Sequence, residues 1–216
     1  MHIMITTKCN MVCGHCCYSC GPEGYSMDFN TFKATVKLAV KMNERVALAG
    51  GEPTMHPLFW DFLGYAIGMS DDVFVQTNGK KTTAAIALAK MAKRGVIKAG
   101  ISRDEWHEPI DPRVYVAFSG SRSINDKRFI RDISHDPRYG PQKAGRCDWG
   151  VEMCPCSGTS WIDPLGGIHQ CGCADAPVIG SVDNPNIFID KYIDFDWKCW
   201  KNLHNPDKKK RKRYVA

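Results

Sequence analysis

Polar and apolar positions change period repeatedly before residue 135, and each change marks an element. Residues 2–7 (HIMITT) form a short apolar run that reads as a strand. Between 27 and 43, Phe29, Phe32, Val36, Leu38, Ala39 and Met42 recur at helical intervals, with Asp28 or Asn30 placed to cap the helix. Residues 44–50 (ERVALAG) are a second short strand, running into Gly50-Gly51-Glu52-Pro53-Thr54. Residues 57–69 (PLFWDFLGYAIGM) predict an apolar helix opened by a proline, a favoured first-turn residue. A strand over 72–77 ends in Asn78-Gly79, and an alanine-rich helix follows over 82–94. A further strand over 96–101 ends in Ser102-Arg103-Asp104. Residues 111–119 fit either helix or strand, and 127–134 (KRFIRDIS) read as a strand.

Strand and helix alternating at this spacing predict parallel βαβ units. In such folds the residues that do chemistry sit on loops after the carboxyl ends of strands. Four unusual elements occupy that position: a cysteine-rich loop, GGEPT, QTNG and SRDEWH. From Tyr139 onward the chain is rich in Gly, Pro and Cys, which predicts a small metal-held module.

The length of 216 residues suits one medium domain with a small appendage. No apolar stretch approaches the ~18 residues of a membrane helix, and the start (MHIMITTKCN) lacks the regions of a signal peptide. The eleven cysteines fall in two groups, five from Cys9 to Cys20 and six from Cys147 to Cys199. Without an export signal, thiols grouped in this way in a cytoplasmic chain read as metal ligands rather than disulfides. Residues 1–200 hold 22 basic and 22 acidic side chains, so the formal net charge of +6 resides in the last sixteen residues. Lys208 to Arg213 is an unbroken cationic run, either a solvated end or an arm that meets phosphate.

Cys9, Cys13 and Cys16 stand in the spacing C-x3-C-x2-C directly after the first strand. An iron–sulfur cubane ordinarily takes four thiolates, so three leave one iron open to another ligand. Together with GGEP after the second strand, this motif resembles the radical SAM superfamily, and the resemblance covers roughly residues 1–135. It implies a partial parallel β/α barrel with a 4Fe–4S cluster at its mouth, held by Cys9, Cys13 and Cys16. S-adenosylmethionine (SAM) chelates the fourth iron, and one electron from a donor such as flavodoxin or ferredoxin releases a 5′-deoxyadenosyl radical. By the same resemblance Gly50, Gly51, Glu52 and Pro53 meet the SAM amino group, with Glu52 adding charge. Asn78 lies near the cofactor, and Ser102 and Asp104 meet its ribose or carboxylate. His15 replaces the aromatic residue that often stacks near adenine, and His107 is the candidate catalytic residue facing the substrate. Other readings remain for each feature. Cys13, Cys16, Cys17 and Cys20 could form a zinc knot. GGEP and Asn78-Gly79 are turn signals, Ser102 and Asp104 could cap a helix, and His107 could be structural.

In the second group, Cys156, Gly166 and Cys171 fit the C-x9–15-G-x4-C pattern of the SPASM and twitch modules appended to radical SAM enzymes. An auxiliary 4Fe–4S cluster would draw its ligands from Cys154, Cys156, Cys171, Cys173 and Cys199, with Cys147 as a spare; structural zinc is the alternative. The expected organisation is a barrel over 1–140, a twitch-like module over 141–203 and a basic tail over 204–216. The expected fold class is α/β, and the expected location is the cytoplasm, that of the host if a phage encodes the chain. The expected activity is radical rearrangement of an amino-acid-modified thymine base in DNA, as in compact radical SAM enzymes of phages. Peptide modification is the alternative enzyme, and a zinc-stabilised nucleic-acid-binding protein is the alternative of another class.

Overall fold

The computed structural model describes residues 1–120, 123–134, 141, 143–149, 160–169, 172, 174 and 176–184. Strand β1 (His2–Thr6) leads into the cysteine loop and is followed by α1 (Phe29–Lys41), β2 (Val46–Gly50), α2 (Phe59–Met69) and β3 (Val73–Thr77). Then come α3 (Thr82–Lys93), β4 (Lys98–Ser102), α4 (Pro112–Phe118) and β5 (Arg128–Arg131). Three short strands, β6 (Trp161–Ile162), β7 (Gly167–His169) and β8 (Val178–Ser181), complete one sheet of order β5-β4-β3-β2-β1-β6-β7-β8. All pairings from β5 to β6 are parallel, and the last two are antiparallel. The parallel βαβ units are those the alternation predicted, and the α/β, mostly parallel sheet agrees with the partial barrel that the resemblance implied. The strands from the stretch assigned to a separate module pair with β1 and share its sheet.

Local chemistry sets the element ends. Asp28 caps α1, accepting from Asn30 N at 2.8 Å, Thr31 N at 3.1 Å and Thr31 Oγ1 at 2.5 Å, which satisfies amides that have no partner inside the helix. The region 111–119 is helical because Asp111 accepts from Arg113 N at 2.9 Å and Pro112 occupies the first turn. Helix α2 starts at Phe59 rather than at Pro57. The buried His56 is the reason: its Nδ1 accepts from Leu58 N at 3.0 Å while Nε2 donates to Met27 O at 2.8 Å, which holds residues 56–58 in a turn. Arg128 forks onto Asp126 and donates to Ala117 O and Ser119 O, pinning the carbonyl end of α4 to β5.

Side chains alternate across the sheet. Ile3, Ile5, Leu48, Val75 and Ile101 face the helices in one buried core, where Phe32 and Phe62 stack at 4.1 Å between ring centres. The opposite face carries His2, Gln76, Ser102 and Arg131, the polar set expected of a barrel interior that receives ligands. Gly100 lies on that face because the ring of Phe129 occupies the space of a Cβ, 2.3 Å away.

Candidate functional site

The loops after β1, β2, β3 and β4 meet around one cavity of about 220 Å3. Cys9, Cys13 and Cys16 all line it, Cys9 buried and the other two half-buried. The loop bearing them closes on itself, with Cys9 N donating to Gly21 O at 2.7 Å and Cys16 N to Cys13 O at 3.2 Å. Burial pushes the Cys13 thiol up to about 11, with Cys9 and Cys16 adding to the effect. Cys16 is drawn down to about 6, chiefly by a hydrogen bond from the Cys20 thiol, which is driven upward in return. Asn78 Nδ2 approaches Cys9 Sγ at 3.6 Å, a donor of the kind that stabilises a thiolate. Cys17 and Cys20 line the same cavity, so five thiols surround it. Cys9, Cys13 and Cys16, with an amide donor beside Cys9, fit a cluster held by three thiolates.

The GGEP segment has two separable roles. Gly50 and Gly51 line the cavity, but their lack of a side chain is required by the chain itself. A Cβ at Gly50, where φ is +150°, would sit 2.3 Å from Thr6 O, and one at Gly51 would sit 2.4 Å from Lys8 O. Gly51 N and Glu52 N donate to Thr6 O and Lys8 O at 2.8 and 2.9 Å, so this loop zips onto the entry of the cysteine loop. Glu52 is fully buried and turned away from the cavity. Its Oε1 accepts from Thr54 N, Thr54 Oγ1 and Thr77 Oγ1 at 3.2, 2.6 and 2.8 Å, and its Oε2 from Asn78 N at 2.7 Å. Burial pushes its carboxyl above the ordinary range, against the pull of those donors. Pro53 opens a single 3-10 turn over Pro53–Met55 and is buried beside it. Asn78 passes the connection on, its amide donating to Asn10 Oδ1 at 2.9 Å and its carbonyl accepting from Lys80 N at 2.9 Å.

After β4, Ser102 lines the cavity and accepts from Gln76 Nε2 at 3.0 Å. Asp104 accepts from His107 Nδ1 at 2.6 Å and Trp106 N at 3.2 Å. Burial raises the Asp104 carboxyl, but the His107 hydrogen bond and the neighbouring imidazoles outweigh it and hold the group below the usual carboxylate range. The Asp104 bond assigns the proton to His107 Nδ1 and leaves Nε2, on a ring that lines the cavity, without a hydrogen-bond partner among the described residues. His15 packs edge-on against His107 at 4.7 Å and near Trp106 at 5.5 Å, and its Nδ1 is buried without a partner among the described residues. A nitrogen of each histidine and an Asp104 oxygen lie within 4.8 Å of one another, although a cation there would have to displace the Asp104–His107 hydrogen bond. The arrangement can hold hydroxyls and move a proton.

The structure thus brings together Cys9, Cys13 and Cys16, with Cys17 and Cys20 beside them, and His15, the glycines, Asn78, Ser102 and His107. Asp104 bonds His107, and Glu52 and Pro53 lie behind the cavity wall. Cys154, Cys156, Cys171, Cys173 and Cys199, and the basic run from Lys208, lie outside the described residues. Sequence reasoning missed Gln76, Arg131 and Arg146, all on the cavity wall. The strand alternation could have pointed to Gln76 and Arg131, whereas Arg146 sits in an irregular tract with no period. Among the described residues no helix is long and apolar enough to cross a membrane.

The chain is 31% identical to the mycofactocin maturase MftC of Mycolicibacterium smegmatis over 112 residues, 51% of this chain and 28% of that protein. It is 30% identical to MftC of Mycobacterium tuberculosis over 46% of this chain and 26% of that protein. These matches span little more than a quarter of the maturases' length. The fold resembles that of BtrN in complex with AdoMet and 2-DOIA, with a TM-score of 0.61 at 15% identity over 94% of this chain and 82% of that one. It also resembles anSMEcpe with bound AdoMet and the Cp18Cys peptide, with a TM-score of 0.55 at 15% identity over 90% and 79% of the two chains. Residues 3–129 match the Radical SAM superfamily over the same loops that surround the cavity. The chain belongs to the radical SAM superfamily.

Proposed function

We propose that Cys9, Cys13 and Cys16 hold a 4Fe–4S cluster with SAM on its open iron, and that the chain abstracts a hydrogen atom from a substrate seated on the inner face of the sheet. The observation that carries this reading is the convergence of the three thiols with Gly50, Gly51, Ser102 and His107 on one cavity. Bound there, the cluster and SAM supply a 5′-deoxyadenosyl radical once a low-potential donor of flavodoxin or ferredoxin type delivers an electron. The residues of the chain orient and shield. The backbone at Gly50 and Gly51 faces the cavity, Ser102 offers a hydroxyl held by Gln76, and His107 presents Nε2 while Asp104 fixes its tautomer. Anaerobically reconstituted protein with dithionite should release 5′-deoxyadenosine from SAM, and each single Cys9, Cys13 or Cys16→Ala variant should abolish release. Undiminished release from any of the three would overturn the assignment.

Two substrate readings each have an observation behind them. Rearrangement of an amino-acid-modified thymine base in DNA is supported by the cationic run Lys208 to Arg213. Peptide modification is supported by the similarity to mycofactocin maturases. Mass spectrometry of DNA nucleosides from cells with and without the gene decides: a nucleoside that depends on the gene sustains the base reading, and identical profiles leave the peptide reading. The second cysteine group is read as the twitch-like holder of an auxiliary cluster, on its C-x9–15-G-x4-C spacing. A Cys9/Cys13/Cys16 triple alanine variant that retains about four irons, one cubane, supports it; zinc alone sinks it.

A further inference from the structure

We infer that Arg146 clasps the cysteine loop and supplies the positive charge that favours electron uptake there. The inference rests on reading Cys9, Cys13 and Cys16 as cluster ligands. Arg146 stands 126 positions beyond Cys20, yet it holds the loop at three carbonyls. Its backbone N donates to Cys16 O at 3.1 Å, its Nε to Cys13 O at 3.2 Å and its Nη2 to Cys20 O at 2.5 Å. An irregular loop cannot satisfy its own carbonyls as a helix does, and a planar guanidinium with several fixed donors suits the task better than an ammonium. All three carbonyls belong to cysteines that line the cavity, two of them the ligands Cys13 and Cys16 of this reading, so the clasp bears on where those thiols point.

The turn carrying Arg146 is shaped for this contact. Gly145 adopts a φ of +56°, and a Cβ there would lie 2.3 Å from Cys17 O. Cys147 N closes the turn onto Ala144 O at 3.0 Å, and Cys147 is only 1% exposed. A second tether runs from the Tyr18 hydroxyl to Gly172 O at 2.9 Å. The loop is therefore gripped from a segment beyond β5. Arg146 also lines the cavity. Three thiolates crowd negative charge there, and a one-electron reduction adds more. A guanidinium close by stabilises the reduced state over the oxidised one, because partial burial weakens screening.

Three variants separate the parts. Arg146→Lys keeps the charge without the planar fork, Arg146→Gln loses the charge, and Gly145→Ala keeps the arginine but obstructs the turn. In the apoprotein, iodoacetamide should label Cys13 and Cys16 several-fold faster in all three variants than in wild type; wild-type rates in Arg146→Lys and Gly145→Ala would overturn the clasp. This readout needs no iron. In reconstituted protein, the EPR-monitored midpoint potential should move to more negative values in Arg146→Gln than in Arg146→Lys, and iron uptake by the lysine variant alone counts the same way. Equal potentials, or loss of iron from both, would overturn the role of the charge. Wild-type protein that takes up no iron would instead sink the cluster reading itself.

Discussion

Replacing Glu52 distinguishes two roles for the acidic residue of the GGEP motif. If its carboxylate is offered to the amino group of SAM, truncation should weaken SAM binding and leave the apoprotein as stable as before. The structure commits both oxygens inward, to Thr54 N, Thr54 Oγ1, Thr77 Oγ1 and Asn78 N. In Glu52→Ala the two hydroxyls can turn to other acceptors, but Thr54 N and Asn78 N lose their partner in a site closed to water. A buried donor left unpaired costs about 1–3 kcal/mol, so two put this variant near 2–6 kcal/mol. Glu52→Gln keeps the shape and one acceptor oxygen, but its amide nitrogen must face one of the two backbone N–H groups. One orphaned donor puts it at about 1–3 kcal/mol. Set against a total stability of about 5–15 kcal/mol for an ordinary domain, the alanine variant is close to unfolding. Urea denaturation of the apoprotein, compared at unchanged slope, measures both losses. A loss below about 1 kcal/mol in Glu52→Ala would refute the inward assignment, because no pair of orphaned amides costs so little.

Other outcomes follow from the same contacts. Asp28→Ala removes the cap of α1 and should cost about 1 kcal/mol by urea denaturation, while Asp28→Asn, which still accepts, should lose less. Gly51→Ala drives a methyl to 2.4 Å from Lys8 O, so the loop after β2 must separate from the cysteine loop. Its expected cost is about 1–3 kcal/mol, and iron retained after gel filtration should fall with it. The Asp104 carboxyl is held below its unfolded value, so its contribution is complete above the ordinary carboxylate range, near pH ~4, and is lost as pH falls through the lowered value. Wild-type apoprotein should accordingly exceed Asp104→Asn in stability at neutral pH, with the gap closing in acid; a gap that widens in acid contradicts the assignment.

The β/α alternation to residue 110 was legible because each helix and strand there is long enough to show its period, and each buries one face. The ambiguity at 111–119 was resolvable in principle from Asp111-Pro112, a cap followed by a first-turn proline. Two features lay beyond reach. Helix α2 begins after Pro57 because the imidazole of His56 bridges Leu58 and Met27, a contact made across 29 positions. Strands β6 to β8 have two to four residues each, too few for a period, and β6 exists because His2 and Ile3 offer it an edge.

At the site, the sequence located the loops but not the directions of the groups on them. Glu52 beside two glycines reads equally well as a charge pointing out or in. The choice is made by Thr77 and Asn78, which arrive from the next strand and spend the carboxylate on holding the two loops together. Asn78 extends that bond to Asn10 and Cys9, and Arg146 closes the far side of the same loop from beyond β5. The geometry around the three thiols is thus set by segments near 9–20, 52–54, 77–78 and 144–147 acting together. Each of these links is a hydrogen bond within the chain and needs no metal to form. The loop should therefore be ordered before iron arrives, and substitutions that cut a link should show first as lost stability or faster thiol labelling in the apoprotein. Substitutions of Cys13 and Cys16 should leave those links standing and remove only the iron, whereas Cys9→Ala also gives up the Asn78 contact.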